Sequence, residues 1–121
     1  MHELALAEGI LAVVLDVAAG EPVRRVCLQV GQLLRVVPES LQFSFDLVAE
    51  GTSAAGAVLE MAEVPGRWRC PHCAAEHAAA LPPVACHRCG AGVVECVAGD
   101  ALLVDAVELV HSGTIRRCPG P

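Results

Sequence analysis

Two short cysteine pairs, Cys70-Pro71-His72-Cys73 and Cys86-His87-Arg88-Cys89, are separated by a loop of twelve residues. They constrain this chain more than any other feature. Each pair suits a tight turn, and a loop of this length lets the turns face each other, so four thiolates come within reach of one tetrahedral ion. Zinc is the ion such a set suits: it imposes no d-electron geometry, takes four sulfurs at about 2.3 Å and is left with no open position for chemistry. A structural site is therefore expected. The same cysteines leave three alternatives: a rubredoxin-like iron site, a pair of redox-active disulfides, and four unrelated thiols.

The loop itself supports a metal. Ala74 to Ala85 is mostly Ala, Pro and Leu with no aromatic residue, and so short a segment cannot bury enough surface to offset its ordering entropy. Removing the ion should melt it. Gly90 follows the second pair and suits a positive φ, whereas Ala74 in the equivalent place carries a side chain that makes that turn costlier.

At 121 residues the chain is long enough for one modest domain plus a small module. Apolar residues make up 55% but aromatics only 2%, so the core must be built from Val, Leu and Ala. The formal charge is −6, and one zinc tetrathiolate would take it to about −8. Arg67, Arg69 and Arg88 cluster against this acidic background and are expected to offset the thiolates, which argues against a nucleic-acid-binding ribbon. Met1-His2-Glu3 lacks a basic start, and Glu3, Glu8 and Asp16 interrupt the apolar run, so neither a signal peptide nor a membrane span is expected. A cytoplasmic location with reduced thiols fits the odd cysteine count.

Leu6, Ile10, Val13 and Val17 recur at helical spacing, widened by Leu4, Leu11 and Val14, and predict a helix over Glu3 to Ala19 that Gly20 and Pro22 end. Val26, Leu28 and Val30 alternate with Arg25, Cys27 and Gln29 as in a half-buried strand, with Cys27 read as a small buried thiol. Pro38 and Glu39 open a second helix carrying Leu41, Phe45 and Val48, which runs to Gly51. Ala57 to Val64 reads as a strand broken by Pro65-Gly66. Leu102 to Val110 reads as a strand covered on both faces, and Cys118-Pro-Gly-Pro as a frayed tail. The expected fold is α+β: two helices on a small mixed three-stranded sheet, with an inserted four-cysteine zinc-ribbon-like module. The expected division is 1–66 with 100–118 for the α+β domain and 67–99 for the module.

The first three residues offer a second kind of site. The Met1 amine, the His2 amide nitrogen and the His2 imidazole can wrap one ion in fused chelate rings, with Glu3 adding an oxygen, and such nitrogen-rich sets suit Ni²⁺ or Cu²⁺. A solvated terminus with a helix-start Glu is the plainer reading of the same residues. His72, His77 and His87 lie beside or between the cysteines. Solvated histidines on a polar module are the plain reading, and a pH-sensing role is the sharper one. Cys96 has the wrong spacing from Cys89 for a ligand. No Ser/His/Asp set, carboxylate pair or phosphate loop points to an enzyme.

Taken together, Met1-His2-Glu3-Leu4, Gly31-Gln32-Leu33, the run from Pro38-Glu39-Ser40-Leu41 to Ala49-Glu50-Gly51-Thr52, and the two CxxC pairs resemble the HypA/HybF family of hydrogenase nickel-insertion proteins. The resemblance spans nearly the whole chain. It implies a non-enzymatic accessory protein with nickel as cargo on Met1, His2 and Glu3, and zinc on Cys70, Cys73, Cys86 and Cys89. It further implies delivery to the precursor of a [NiFe]-hydrogenase large subunit together with a maturation GTPase, and in some members service to urease. Ala74, the alanine-rich loop and the extra thiols Cys96 and Cys118 depart from the family pattern. The rival readings are a zinc-ribbon adaptor with an inert N-terminus and an iron-sulfur-type electron carrier.

Overall fold

The computed structural model describes residues 2–117, of His2 the backbone. Met1, the His2 side chain and Cys118, all singled out by sequence, lie outside the described residues. In chain order the elements are α1 (His2–Ala18), β1 (Val23–Gly31), α2 (Pro38–Ala49), β2 (Val58–Val64), β3 (Arg67–Arg69), β4 (Glu76–Ala78), β5 (Glu95–Ala98), β6 (Leu102–Leu109) and β7 (Ile115–Arg117). They form a four-stranded sheet in the order β2-β1-β6-β7 and a three-stranded sheet in the order β4-β3-β5. The chain divides into two compact units: residues 1–29, 36–62 and 103–121, and residues 30–35 with 63–102. Each helix and strand expected outside the cysteine segment is present, and β6 returns beside β1 as expected.

In the first unit α1 packs on α2. The buried stripe of α1 is Ala7, Ile10, Val14 and Ala18, positions three and four apart on one face. The sequence pattern had placed Val13 inward, yet Val13 and Leu4 are each 42% exposed. The buried face includes the small residues Ala7 and Ala18, which the reading of Val and Leu spacing left out. On α2, Leu41, Phe45 and Ala49 are buried, and Pro38 supplies the first helical position, where its missing N–H costs nothing. Val26 and Leu28 of β1 and Val107 and Leu109 of β6 are buried as well, and Phe45 is the largest fully buried side chain.

Three expectations are corrected here. Cys27 is half-buried rather than buried, and desolvation leads the effects that raise its thiol above the usual range. β6 is covered only in its second half, since Ala106, Val107 and Leu109 are buried while Leu103 and Asp105 are exposed. The sheet has a fourth strand, β7, antiparallel to β6 with Val107 opposite Arg116. Three residues without apolar alternation gave no sequence signal for it. Its register nevertheless delivers Arg116 to the end of α1.

There Arg116 Nη1 donates to the carbonyls of Val17 at 3.0 Å and Ala18 at 3.1 Å, and Nη2 pairs with Glu21. The last carbonyls of a helix lack intrahelical partners and carry its negative end, so a guanidinium satisfies both needs at once. Arg116 is partly exposed, which places the expected loss at the low end: Arg116→Ala should cost about 1 kcal/mol of stability. Urea unfolding checks this. Arg116→Lys, which cannot span two carbonyls and a carboxylate, should recover less than half of the loss.

Candidate metal centre

In the cysteine-bearing unit β3 runs into the first pair and β4 runs out of it, with Trp68 opposite His77 and Arg69 opposite Glu76. β5 follows the second pair and sets Cys96 opposite Trp68. Trp68 is the aromatic centre of this small sheet, 8% exposed, with its indole N–H donating to the Ala79 carbonyl at 3.0 Å. Sequence reasoning missed its role by looking for a core inside the loop rather than before it.

Three glycines, Gly31, Gly66 and Gly99, pack against one another's backbone in this unit. A Cβ on Gly31 would stand 2.3 Å from the Gly99 carbonyl oxygen, and one on Gly99 would stand 2.6 Å from the Gly66 Cα. The Gln32 side chain accepts from the Gly66 N–H at 3.0 Å, and Leu33 N–H donates to Gly99 O at 2.9 Å. Close backbone approach therefore requires glycine at these places.

The two cysteine turns share one backbone pattern. Cys70 N–H donates to Ala75 O and Ala74 N–H to Cys70 O, each at 2.9 Å; Cys86 N–H donates to Ala91 O at 2.8 Å and Gly90 N–H to Cys86 O at 2.7 Å. Both turns need a left-handed residue after the second cysteine, and Ala74 supplies it at φ 62 as Gly90 does at φ 80. The first turn thus adopts the same conformation despite its side chain.

The four ligand sulfurs of Cys70, Cys73, Cys86 and Cys89 lie within 4.8 Å of one another. Cys70 to Cys89 is 3.5 Å and Cys73 to Cys86 is 3.7 Å. A tetrahedron of sulfurs at 2.3 Å from a central ion has edges of about 3.8 Å, so the donor set fits a closed zinc tetrathiolate. The first cysteine of each pair is buried, Cys73 is half-buried and Cys89 is exposed. The Cys86 thiol is lowered to about 5, chiefly because the Cys89 backbone amide donates to it, with help from the Arg88 amide, His77 and Cys73 against desolvation. Cys89 is pushed up to about 11: the Ala91 amide favours its thiolate, but the hydrogen bonds among the four thiols and desolvation outweigh that. Four thiols this close cannot all ionise without a cation between them.

His72 and His87 are exposed, but His77 is buried, with its ring 3.6 Å from that of His87 and its Nε2 without a hydrogen-bond partner. The expectation that all three are solvated is therefore corrected for His77, which β4 turns inward opposite Trp68. Arg67 pairs with Glu76 at 3.1 Å, so it is not free to offset thiolate charge as the sequence suggested. Cys96 stands outside the four-sulfur set and donates to Ala98 O at 3.4 Å. Of the N-terminal set, Glu3 is half-buried on α1. It lines a shallow cavity with Leu4 of α1 and with Glu39, Ser40, Phe43 and Ser44 of α2.

Fold and centre define a small two-unit protein: a helix-and-sheet unit, and a second unit built on a four-sulfur site suited to zinc. The family model described as hydrogenase/urease nickel incorporation, metallochaperone, HypA matches residues 1–109. A hydrogenase maturation factor HypA from Rippkaea orientalis is 39% identical over 109 residues, covering 90% of this chain and 96% of the relative. One from Acidithiobacillus ferrooxidans is 38% identical over 112 residues, covering 90% and 99%. The fold is similar to the solution structure of HypA protein, with TM-score 0.68 and 18% identity over 91% of this chain and 97% of that one. It is also similar to the solution structure of the Ni metallochaperone HypA from Helicobacter pylori, with TM-score 0.65 and 15% identity over 89% and 97%. The chain belongs to the HypA family of hydrogenase and urease nickel-incorporation metallochaperones.

The left-handed residues give a direct test of the shared turn geometry. Ala74→Gly should stabilise the metal-loaded protein by about 1 kcal/mol, and Gly90→Ala should destabilise it by a similar amount. Chelator competition followed by zinc release should show the first variant holding metal longer than the parent and the second shorter.

Proposed function

We propose that this protein carries Ni²⁺ on its N-terminus and delivers it to the precursor of a [NiFe]-hydrogenase large subunit in the cytoplasm. In this reading a zinc ion on Cys70, Cys73, Cys86 and Cys89 holds the second unit together. The observation that carries the reading is the family match across residues 1–109, which begins at Met1-His2-Glu3 and includes all four cysteines. Urease service is part of the family description, and a maturation GTPase is the partner expected from the sequence resemblance. Both belong to the same proposal.

The chemistry of the N-terminus supports reversible carriage. α1 begins at His2, and the first amides of a helix have no intrahelical acceptor, so using the His2 nitrogen as a ligand sacrifices no helical bond. The positive end of the helix also favours the negative charge such a ligand brings. The Met1 amine and the His2 imidazole ordinarily titrate near 8 and near 6.5, about where protons compete with a bound cation at neutral pH. Nickel is therefore held firmly enough to carry and released by modest competition. The sulfur site differs in kind, since soft thiolates enclosing zinc exchange slowly and leave no coordination position for cargo. Two metals of different preference are kept on two donor sets. Among the described residues no helix is long and apolar enough to cross a membrane.

Nickel titration of untagged, zinc-loaded protein beside His2→Ala tests this, with zinc content followed throughout. The parent should bind one equivalent saturably, lose it as pH falls from about 7.5 to 6, and keep its zinc, while the variant should not bind. Equal binding by both proteins, or nickel displacing zinc, would remove the N-terminal site and leave a zinc-ribbon adaptor.

A further inference from the structure

β2 is an edge strand, so the outward-facing peptide groups along one side of it have no strand partner. A side chain from α2 covers part of that edge. Gln42 Oε1 accepts from the Leu59 N–H at 2.8 Å, and Gln42 Nε2 donates to the Ala57 carbonyl at 3.3 Å. These are the two bonds that one residue of a parallel neighbouring strand would make with its own N–H and C=O. A further bond from Nε2 to Asp46 Oδ1 at 2.8 Å fixes the carboxamide.

The cover ends at Leu59. Outward-facing groups recur every second residue, so the next belong to Met61, and no side chain among the described residues bonds them. Met61 opens onto a groove of about 440 Å³ whose apolar walls are Pro38, Phe43, Leu59 and Met61, with Glu39 and Asp46 beside them. Phe43 is 65% exposed, an unusual placement for a phenylalanine. Among the described residues neither Glu39 nor Asp46 forms an ion pair. The chain contains no lysine, and Arg25 on the adjacent strand β1 is engaged by Glu60 at 2.7 Å and Glu108 at 2.9 Å.

We propose that the β2 edge and this groove receive an extended segment of a partner protein, paired to Met61 through its main chain and basic on either side of an apolar anchor. Strand addition draws affinity from main-chain bonds and specificity from alternate side chains. Glu39 and Asp46 are about 10.5 Å apart along the helix axis, and side chains four residues apart on a strand are about 13 Å apart. A basic–x–apolar–x–basic pattern therefore sets its middle side chain against Phe43, Leu59 and Met61, with its arginines or lysines beside the two carboxylates. A second copy of this chain is a poor occupant, because its own formal charge is −6 and β2 itself carries Glu60 and Glu63. The inference does not depend on which residues hold metal.

An acetylated, amidated Arg-Thr-Val-Thr-Arg peptide, added at millimolar concentration to the isotope-labelled, zinc-loaded full chain, provides the probe. Amide shifts should concentrate at Phe43, Leu59 and Met61. They should be absent with Glu-Thr-Val-Thr-Glu, and lost when every second amide of the arginine peptide is N-methylated in the matching one of the two registers. The variant Glu39→Lys with Asp46→Asn, which leaves an oxygen for Gln42, should weaken binding by about tenfold or more, and its otherwise unchanged spectrum confirms folding. Absence of shifts at these residues, shifts that persist with the acidic peptide or in the variant, or self-association of the chain through β2 would each overturn the proposal.

Discussion

Four sulfurs that must meet around one point are the constraint on which the second unit depends. Apart from Val30, Trp68 and the inward-turned His77, its buried side chains among the described residues are Cys70 and Cys86 themselves, and the loop between the pairs leaves Leu81 and Val84 in solvent. So little apolar burial cannot offset the entropy of ordering the segment. A cross-link through an ion on these four sulfurs would take the place of a hydrophobic core and hold details that are otherwise unfavourable. Ala74 is held in a left-handed conformation by a turn it would not choose alone, and a thiol pushed up to about 11 stands beside one lowered to about 5. Both become understandable once a cation supplies the missing attraction.

The helix-and-sheet unit obeys a different rule. Its core is aliphatic and continuous, from Ile10 and Val14 through Val26, Leu28, Leu41 and Phe45 to Val107 and Leu109, and no metal is needed to explain its order. This division suits a carrier. A cargo site on this unit could load and release without its occupancy deciding whether the unit folds. A closed thiolate cage can be permanent because it has no part in exchange.

Much of this was legible in the sequence, and what was missed has physical causes. Cysteine spacing is a direct statement about geometry, so the four ligands could be read without a structure, and Pro38, Gly20 and Gly90 mark conformations that few other residues favour. The facing of α1 was misread because the reading of Val and Leu spacing left out the buried alanines Ala7 and Ala18. β7 was invisible because its three residues act through register and through one arginine reaching the end of a distant helix. The meeting of Gly31, Gly66 and Gly99, and the use of Gln42 as a surrogate strand, are contacts between residues far apart in sequence, which local patterning cannot report. The assignment of nickel to Met1 and His2 is a proposal that rests on chain chemistry and family resemblance.

A metal on the four sulfurs should organise one unit and not the other. Residue-resolved amide exchange before and after complete chelation measures this directly. The account predicts that protection of Trp68, His77 and the backbone bonds of the two cysteine turns is lost, while Val26, Leu28, Leu41, Phe45 and Val107 keep theirs. Protection that survives metal removal in the cysteine unit, or that disappears in both units together, would contradict it.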